Sequence, residues 1–226
     1  MRRIKYGDTS LIVSLFSRKS GKFSAIAKGV RSSKSKSIAP AALEPLTWIE
    51  AIEYFKPTRT IQLLSATEII DDYHNIKANI EKFDAAIKFI KSIDELVPEN
   101  EPYEKIFQLL VDSLKELQRE DCRISLIELF FKAHLLDALG DSPAVNRCQK
   151  CGAVLWSRAR YLSAEGGMLC PNCAQNGIPL NSDEIEALSL LFSANEFSSI
   201  KNISPKTVEK VRTVLELHLK YHAGRG

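Results

Sequence analysis

The fold of the front of this chain is decided by Ser10-Leu11-Ile12-Val13-Ser14-Leu15-Phe16, then Ser20-Gly21, then Lys22-Phe23-Ser24-Ala25-Ile26-Ala27. The first run is short, apolar and rich in strand formers, and the second alternates polar and apolar residues. Ser20-Gly21 supplies a turn between them, so the stretch predicts a β-hairpin. Residues 46–55 and 60–70 are strand-like as well, whereas the basic, Ser-rich residues 28–37 predict an exposed loop.

The hydrophobic period changes after about residue 76. Apolar residues then recur at helical spacing within 80–97 and 103–117. Residues 124–139 are apolar on nearly every side, which is typical of a helix at the centre of a bundle, and Gly140 is placed to end it.

Two further helices are predicted near the end of the chain. Ser182-Asp183-Glu184 offers an N-cap with acids in the first turn, and Ser204-Pro205 offers an N-cap followed by proline. The expected organisation is α+β, with an N-terminal barrel of about five strands over residues 1–76 and an all-α domain over 77–226.

A four-cysteine cluster interrupts the helical part, at residues 145–178. Its pattern is C-x2-C-x18-C-x2-C, formed by Cys148, Cys151, Cys170 and Cys173. This spacing is typical of a zinc ribbon, in which two residues between cysteines let both thiolates face one ion. Four cysteines fill the tetrahedron, so we expect one structural Zn²⁺. An iron–sulfur cluster, four unmetallated thiols and a redox pair are the alternatives.

The N-terminal sequence predicts a reducing compartment. The N terminus has no apolar run behind its basic residues, so it is not expected to be a secretory signal, and no stretch approaches the length of a membrane helix. We therefore expect a cytoplasmic protein in which the five cysteines are thiols or metal ligands. Cys122, outside the cluster, is expected to be a buried structural residue.

Positive charge is concentrated at the front of the chain. Residues 1–37 contain a single acid, Asp8, and ten basic residues, which are Arg2, Arg3, Lys5, Arg18, Lys19, Lys22, Lys28, Arg31, Lys34 and Lys36. This imbalance predicts a polyanionic partner, against the alternative of a solvated face. An OB-type barrel binds oligonucleotides on a strand face with flanking loops, through phosphate contacts and stacking on aromatic rings. The available rings are Tyr6, Phe16, Phe23, Trp48 and Tyr54, each of which belongs more often to a core.

The same stretch resembles the opening of the bacterial RecO recombination and repair proteins. The residues that carry the resemblance are Tyr6-Gly7-Asp8-Thr9-Ser10-Leu11-Ile12-Val13-Ser14-Leu15-Phe16-Ser17, Gly21-Lys22-Phe23 and Ala27-Lys28-Gly29-Val30-Arg31, together with Pro45-Leu46 and Ser65-Ala66-Thr67-Glu68. The helical remainder and the four-cysteine insertion fit the same family.

The resemblance implies an N-terminal OB-fold barrel, a helical domain and a zinc module. It also implies binding of single- and double-stranded DNA, annealing of complementary strands, and contacts with RecR and the acidic tail of single-stranded-DNA-binding protein that help RecA to load. A nucleoid-associated bacterial protein is implied. The positions that match the family's basic DNA face are Arg18, Lys19, Lys22, Lys28, Arg31, Lys34 and Lys36.

The sequence offers little support for an enzyme. It contains no phosphate-binding G-x-x-x-x-G-K-[ST] loop, no G-x-S-x-G elbow and no H-E-x-x-H pair. Asp71-Asp72 predicts a solvated strand end, and His218 and His222, four residues apart, predict an ordinary helix surface. The alternatives are a zinc-dependent nuclease or nucleic-acid-modifying enzyme, and a zinc-ribbon factor that prefers RNA.

Overall fold

The computed structural model describes residues 3–32, 38–56 and 58–223. The chain divides into two compact units, Met1–Glu120 and Asp121–Gly226. The first three helices belong to the same unit as the N-terminal strands. The change from strand to helix falls close to residue 76, and as a boundary between domains that position stays a prediction.

The first unit is built on a five-stranded sheet in the order β1-β2-β3-β5-β4. Neighbouring strands are antiparallel except β3 and β5, which run parallel. The strands are β1 (Arg3–Tyr6), β2 (Ser10–Ser17), β3 (Gly21–Ala27), β4 (Trp48–Tyr54) and β5 (Ile61–Asp71). This is the topology of an OB-fold, a five-stranded and partly open barrel, so the predicted fold class is confirmed.

The predicted hairpin is formed by β2 and β3, paired from Leu11 opposite Ala27 to Ser17 opposite Gly21. Alternate residues face the interior because side chains in a strand alternate between its two faces. Gly21 has φ of +66°, and a Cβ there would lie 1.7 Å from the backbone oxygen of Glu101. The barrel core consists of Leu11, Val13, Phe23, Ala25, Ala27, Val30, Ile38, Leu43 and Leu64.

Three helices complete the first unit: α1 (His74–Lys77), α2 (Ile80–Leu96) and α3 (Glu104–Gln118). The Asn79 side chain caps α2 by accepting hydrogen bonds from two backbone N–H groups of its first turn. On α3, the Phe107 ring lies 5.9 Å from the ring of Phe16, and the Lys115 ammonium lies 5.6 Å from the Trp48 ring. These contacts attach α3 to the outside of the sheet.

The second unit has three helices: α4 (Ile124–Leu139), α5 (Ser182–Ser193) and α6 (Pro205–Ala223). As predicted, α4 is buried on nearly every side and ends at Gly140, which has φ of +79°. α4 also carries two buried charges, and α6 supplies a partner for each. Glu128 pairs with Arg212 at 3.2 Å, and Lys132 pairs with Glu216 at 2.7 Å.

A small antiparallel sheet lies between α4 and α5 in the chain, in the order β7-β6-β8. Its strands are β6 (Arg158–Leu162), β7 (Gly167–Leu169) and β8 (Ile178–Asn181). The first two form an antiparallel hairpin between the two cysteine pairs. β8 was not predicted, and it places the cap of α5 at Asn181 rather than Ser182. Among the described residues, no helix combines the length and hydropathy needed to span a bilayer.

Candidate metal centre and nucleic-acid surface

The metal centre is formed by the four cysteines that the spacing singled out. The sulfur atoms of Cys148, Cys151, Cys170 and Cys173 all lie within 4.8 Å of one another, and those of Cys151 and Cys170 are 3.8 Å apart. A tetrahedral zinc with Zn–S bonds of about 2.3 Å requires sulfurs about 3.8 Å apart. The sulfur positions therefore suit one tetrahedral ion.

Backbone hydrogen bonds hold each cysteine pair in a tight turn. In the first pair, Cys148 N–H donates to the Ala153 carbonyl at 2.8 Å, and Gly152 N–H donates back to the Cys148 carbonyl at 2.9 Å. Gly152 follows the pair with φ of +71°, a conformation that glycine adopts without strain. In the second pair, Cys173 N–H donates to the Cys170 carbonyl at 3.0 Å.

The thiol pKa values differ sharply within the cluster. Burial raises the pKa of Cys148, but backbone N–H groups of Cys170, Cys151 and Lys150 stabilise its thiolate and bring the pKa down to about 6. Hydrogen bonds with the side chains of Cys170 and Cys151 favour the protonated form of Cys173 and raise its pKa to about 12. A divalent cation would replace those protons and stabilise four adjacent thiolates.

A buried histidine connects this cluster's sheet to α6. His218 is only 1% exposed; its Nδ1 lies 2.8 Å from the Tyr161 hydroxyl on β6, and its Nε2 lies 2.7 Å from the Asp141 carbonyl oxygen. The expectation of an ordinary helix surface is therefore wrong for His218. His218 lies on the buried face of α6, and both of its ring nitrogens have hydrogen-bond partners. The described residues do not include the side chain of His222.

Of the ten basic residues predicted to contact nucleic acid, the seven that the structure describes fall into three groups. Lys5, Lys19 and Lys28 are exposed, and no hydrogen bond or ion pair joins their ammonium groups to any described residue. Their positive charges are open to solvent. Arg2, Lys34 and Lys36 lie outside the described residues.

The arginines are exposed but partnered. Arg3 forms an ion pair with Glu44. Arg18 donates to the Gln108 side chain at 3.2 Å, and its guanidinium carbon lies 5.5 Å from the centre of the Phe107 ring. Arg31 donates to the Gly7 carbonyl at 2.6 Å. Part of their donor capacity is therefore used within the unit.

Lys22 lies inside the unit. It is 7% exposed, and its Nζ donates to the Asp94 backbone oxygen at 2.6 Å, with the Asp94 carboxylate 3.9 Å away. The start of β3 is covered there by the chain segment that follows α2, where Asn100 N–H donates to the Lys22 carbonyl at 2.8 Å. This position gives Lys22 a structural contact within the fold.

The accessible cations gather at two ends of the β2–β3 hairpin. One end, the Lys28 end, consists of residues 5–9 and 28–32, joined by the hydrogen bond from Arg31 N–H to the Thr9 carbonyl at 2.9 Å. The other, the Lys19 end, consists of residues 18–20, 53–56 and 58–60. It is joined by the hydrogen bond from Ser20 Oγ to Glu53 Oε1 at 2.8 Å.

Parallel pairing explains why two separate turns share the Lys19 end. Since β3 and β5 run in the same direction, the turn that precedes β3 and the loop that precedes β5 lie at the same end of the two strands. Between the two ends the hairpin runs from Ser17 opposite Gly21 to Leu11 opposite Ala27. At about 3.3 Å per residue, the two ends are about 20 Å apart.

The loop entering β5 contributes residues that the sequence analysis did not identify. Phe55 is 57% exposed. Lys56 and Arg59 are exposed, and within the described chain their charged groups have no partner. The sequence did hold a signal for this loop, because Tyr54 and Phe55 are followed by Lys56 and Arg59. OB-folds use the loop between their fourth and fifth strands to bind oligonucleotides.

The aromatic rings that were considered for stacking divide between core and surface. Phe23 belongs to the core, while Phe16 and Trp48 pack against α3. Tyr6 at the Lys28 end is 57% exposed, and Tyr54 at the Lys19 end is 59% exposed. Each end therefore combines open cations with an open aromatic ring.

The acidic pair at the end of β5 has structural contacts. Asp71 accepts hydrogen bonds from Tyr73 N–H at 2.7 Å and from the Gln118 side chain at 3.0 Å. Asp72 accepts from His74 N–H at 3.1 Å. Both carboxylates thus organise the entry to α1 at the end of β5, where Asp72 is exposed as expected and Asp71 is half-buried.

An OB-fold sheet followed by a helical region, with a four-cysteine cluster that could hold a metal ion between two of its helices in the chain, defines a class of OB-fold proteins with a cysteine-cluster insertion. Residues 1–73 match the family described as recombination protein O, N terminal, and residues 79–226 match recombination protein O, C terminal. The chain belongs to this family, RecO, a family of DNA repair and recombination proteins.

Individual relatives agree. The chain is 32% identical over 168 residues to the DNA repair protein RecO of Salinibacter ruber, an alignment that covers 74% of this chain and 64% of that protein. It is 26% identical to the RecO protein of Alkaliphilus metalliredigens, covering 100% of this chain and 92% of the relative. The corresponding protein of Desulfatibacillum aliphaticivorans is 29% identical, with 100% and 90% covered.

Proposed function

We propose that this protein is a recombination mediator that binds single- and double-stranded DNA through the barrel of its first unit. The observation that carries the proposal is the pair of open cationic ends on the β2–β3 hairpin, each with an exposed aromatic ring. Phosphates would meet Lys5, Lys28 and Arg31 at one end. Lys19, Lys56 and Arg59 would meet them at the other.

A single strand would run between the Lys28 end and the Lys19 end. The span of about 20 Å suits a few nucleotides, which is the scale of an OB-fold site. Bases would stack on Tyr6 at one end and on Tyr54 or Phe55 at the other. Neither contact needs a particular base, because every base has a π face and every nucleotide a phosphate.

Binding without sequence preference supports the second part of the proposal, annealing of complementary strands. Family membership supports the partner set: RecR, the acidic tail of single-stranded-DNA-binding protein, and through them the loading of RecA. The protein would act in the bacterial cytoplasm, at the nucleoid. We take residues 1–76 as the DNA-binding domain and 77–226 as the helical domain.

The four cysteines would hold one Zn²⁺ as a structural ion within residues 145–178. Four thiolate donors complete a tetrahedron and leave no coordination position for substrate, unlike a catalytic zinc. The carboxylates of Asp71 and Asp72 are engaged with backbone N–H groups. The proposed function therefore involves binding and strand pairing, with no chemical step.

The test mixes the full chain with two complementary labelled oligonucleotides, in the absence and presence of Mg²⁺ or Mn²⁺. We expect faster formation of intact duplex under all conditions. Cleavage that disappears in Asp71→Asn/Asp72→Asn would overturn the proposal in favour of a nuclease. A strong preference for RNA over DNA of the same sequence would overturn it in favour of an RNA-binding zinc-ribbon factor.

A further inference from the structure

The zinc module presents a single exposed tryptophan. Trp156 is 78% exposed and lies two residues before β6. Its neighbour Leu155 is buried, and Leu155 N–H is held by the Asn146 carbonyl at 3.1 Å. Within the described part of the chain, the indole makes no ring contact and no hydrogen bond. The backbone is thus anchored while the ring faces solvent.

A cation, Arg147, lies on the same side of the module as this ring. Exposure alternates along Val154, Leu155 and Trp156, so that Val154 and Trp156 face outward. Arg147 lies opposite Val154 in an antiparallel bridge, and it is exposed as well. Residues directly opposite in such a bridge share a face, which places Arg147 on the side of Trp156.

The chain bends at Trp156 and Ser157 and then enters β6, which carries two further cations. Ala159 and Tyr161 are turned into the interior, so Arg158 and Arg160 project from the opposite face of the strand. From Trp156 to Arg160 the backbone extends at most about 14 Å. We call the four residues Arg147, Trp156, Arg158 and Arg160 the Trp156 patch.

The chain segment that carries the patch is basic. No acidic residue occurs from Ser142 to Ala164, a segment that contains four cations. Lys150 forms an ion pair with Glu165 at 3.1 Å. For Arg158, no hydrogen bond or ion pair exists among the residues that the structure describes.

Charge compensation at the metal centre explains only part of this arrangement. Four thiolates with a divalent ion carry net negative charge, and Arg147 lies at the first cysteine turn, donating to the Gly152 carbonyl at 3.3 Å. Arg158 and Arg160 lie on the strand instead, where Arg160 approaches the Gly177 carbonyl at 3.5 Å. Compensation also gives no reason for an exposed indole.

We infer that the Trp156 patch is a second single-stranded nucleic-acid site, separate from the barrel. One base would stack on the Trp156 ring, and the adjoining phosphates would bind Arg158 and Arg160. This combination of an aromatic platform and neighbouring cations is how proteins bind single strands without sequence preference. The inference rests on the proposed function and deepens it by assigning a contact to the second unit.

The chain contains two tryptophans, which makes the site directly observable. In a Trp48→Phe variant of the full chain, all tryptophan emission comes from Trp156. Titration with an oligo-dT single strand should quench that emission saturably, and added salt should restore it. Unchanged emission while the DNA is bound, measured by anisotropy of the same labelled strand, would overturn the inference and leave the proposed function standing.

Substitution gives an independent readout. Trp156→Ala should weaken single-strand binding about tenfold, within the range that one base–aromatic stack supplies. Trp156→Phe should retain most of the affinity. The matched control is Ile80→Ala, at a side chain that is 79% exposed in the first unit, and it should bind normally.

Two further outcomes separate the occupants. If an acidic peptide quenches Trp156 emission and oligo-dT does not, the patch is a protein-docking site and the inference is wrong. If oligo-dT quenches Trp156 emission but Lys19→Glu/Lys28→Glu leaves total affinity unchanged, the inference stands and the proposed barrel site fails. If the wild-type chain binds no DNA, both the patch inference and the proposed function are wrong.

Discussion

The metal centre and the barrel surface use their functional residues in opposite ways. Four sulfurs converge within 4.8 Å of one another, whereas the cations of the barrel are divided between two ends about 20 Å apart. A metal requires convergence, so a displaced ligand removes the site. A phosphate backbone requires only positive charge along its path, so no single barrel residue is indispensable.

The two regions also differ in how many of their functional side chains are free to bind a ligand. All four cysteines point to one centre. Among the barrel cations, by contrast, Arg3, Arg18 and Arg31 have internal partners and Lys22 is buried. The net charge of a segment therefore overstates its accessible charge.

Metal removal should give the largest effect. Chelation, or Cys170→Ser, should release one ion per chain and make residues 145–178 sensitive to protease, because metal–thiolate bonding contributes on the order of 10 kcal/mol in small zinc sites. Limited proteolysis with mass spectrometry measures this. Cys122→Ser is the control and should keep its metal. Unchanged protease sensitivity after complete metal removal would show that the module folds without the ion.

Lys22 and Lys28 should separate structural from binding lysines. Lys22→Met removes a charged donor from the Asp94 carbonyl and should lower the free energy of unfolding by about 2 kcal/mol. Lys28→Met, at an exposed side chain, should change it by less than about 0.5 kcal/mol. Urea denaturation of both variants tests the contrast, and equal losses would contradict the burial of Lys22.

The two ends of the hairpin should contribute separately to DNA affinity. Lys19→Glu and Lys28→Glu should each weaken single-strand binding about tenfold. Each should also make the slope of log affinity against log salt concentration shallower by about one, because phosphate contacts are lost. Lys91→Glu, on an exposed residue of α2, makes the same change in net charge and should have little effect. If only one of the ends responds, the strand does not span the hairpin.

The smallest expected effect concerns the hydrogen bond that links the sheet of the four-cysteine segment to α6. Burial raises the pKa of Tyr161, so its hydroxyl stays protonated at neutral and mildly alkaline pH. Tyr161→Phe removes its hydrogen bond with His218 and should cost about 1 kcal/mol of stability without releasing metal. Thermal unfolding measures the stability, and metal analysis measures the ion content. Loss of metal in Tyr161→Phe would show that this hydrogen bond and metal binding are not independent.

Local features of the fold were predictable from the sequence. The β2–β3 hairpin, the helix ending at Gly140 and the four-cysteine cluster depend on residues near one another in the chain. Turns, helix caps and paired metal ligands depend on the types and spacing of a few neighbouring residues, so the sequence allowed few other structures at these places. β8 escaped prediction because its four residues, Ile178–Asn181, are too few to show a period.

The distant contacts were not predictable. Lys22 is buried because Asp94 and Asn100, more than seventy residues away, pack over the start of β3. Phe55, Lys56 and Arg59 join the Lys19 end because β3 pairs in parallel with β5. His218 faces inward because Tyr161 and Asp141 meet it there. Hydrophobic periodicity carries no information about such pairings.

The measurement that bears most directly on this account is a salt titration of single-stranded DNA binding by the full, metal-loaded chain. If about six phosphates contact the open cations, the logarithm of affinity should fall against the logarithm of salt concentration with a slope of about −4. An affinity that stays constant between about 50 and 200 mM salt would show that the cationic ends do not hold the DNA.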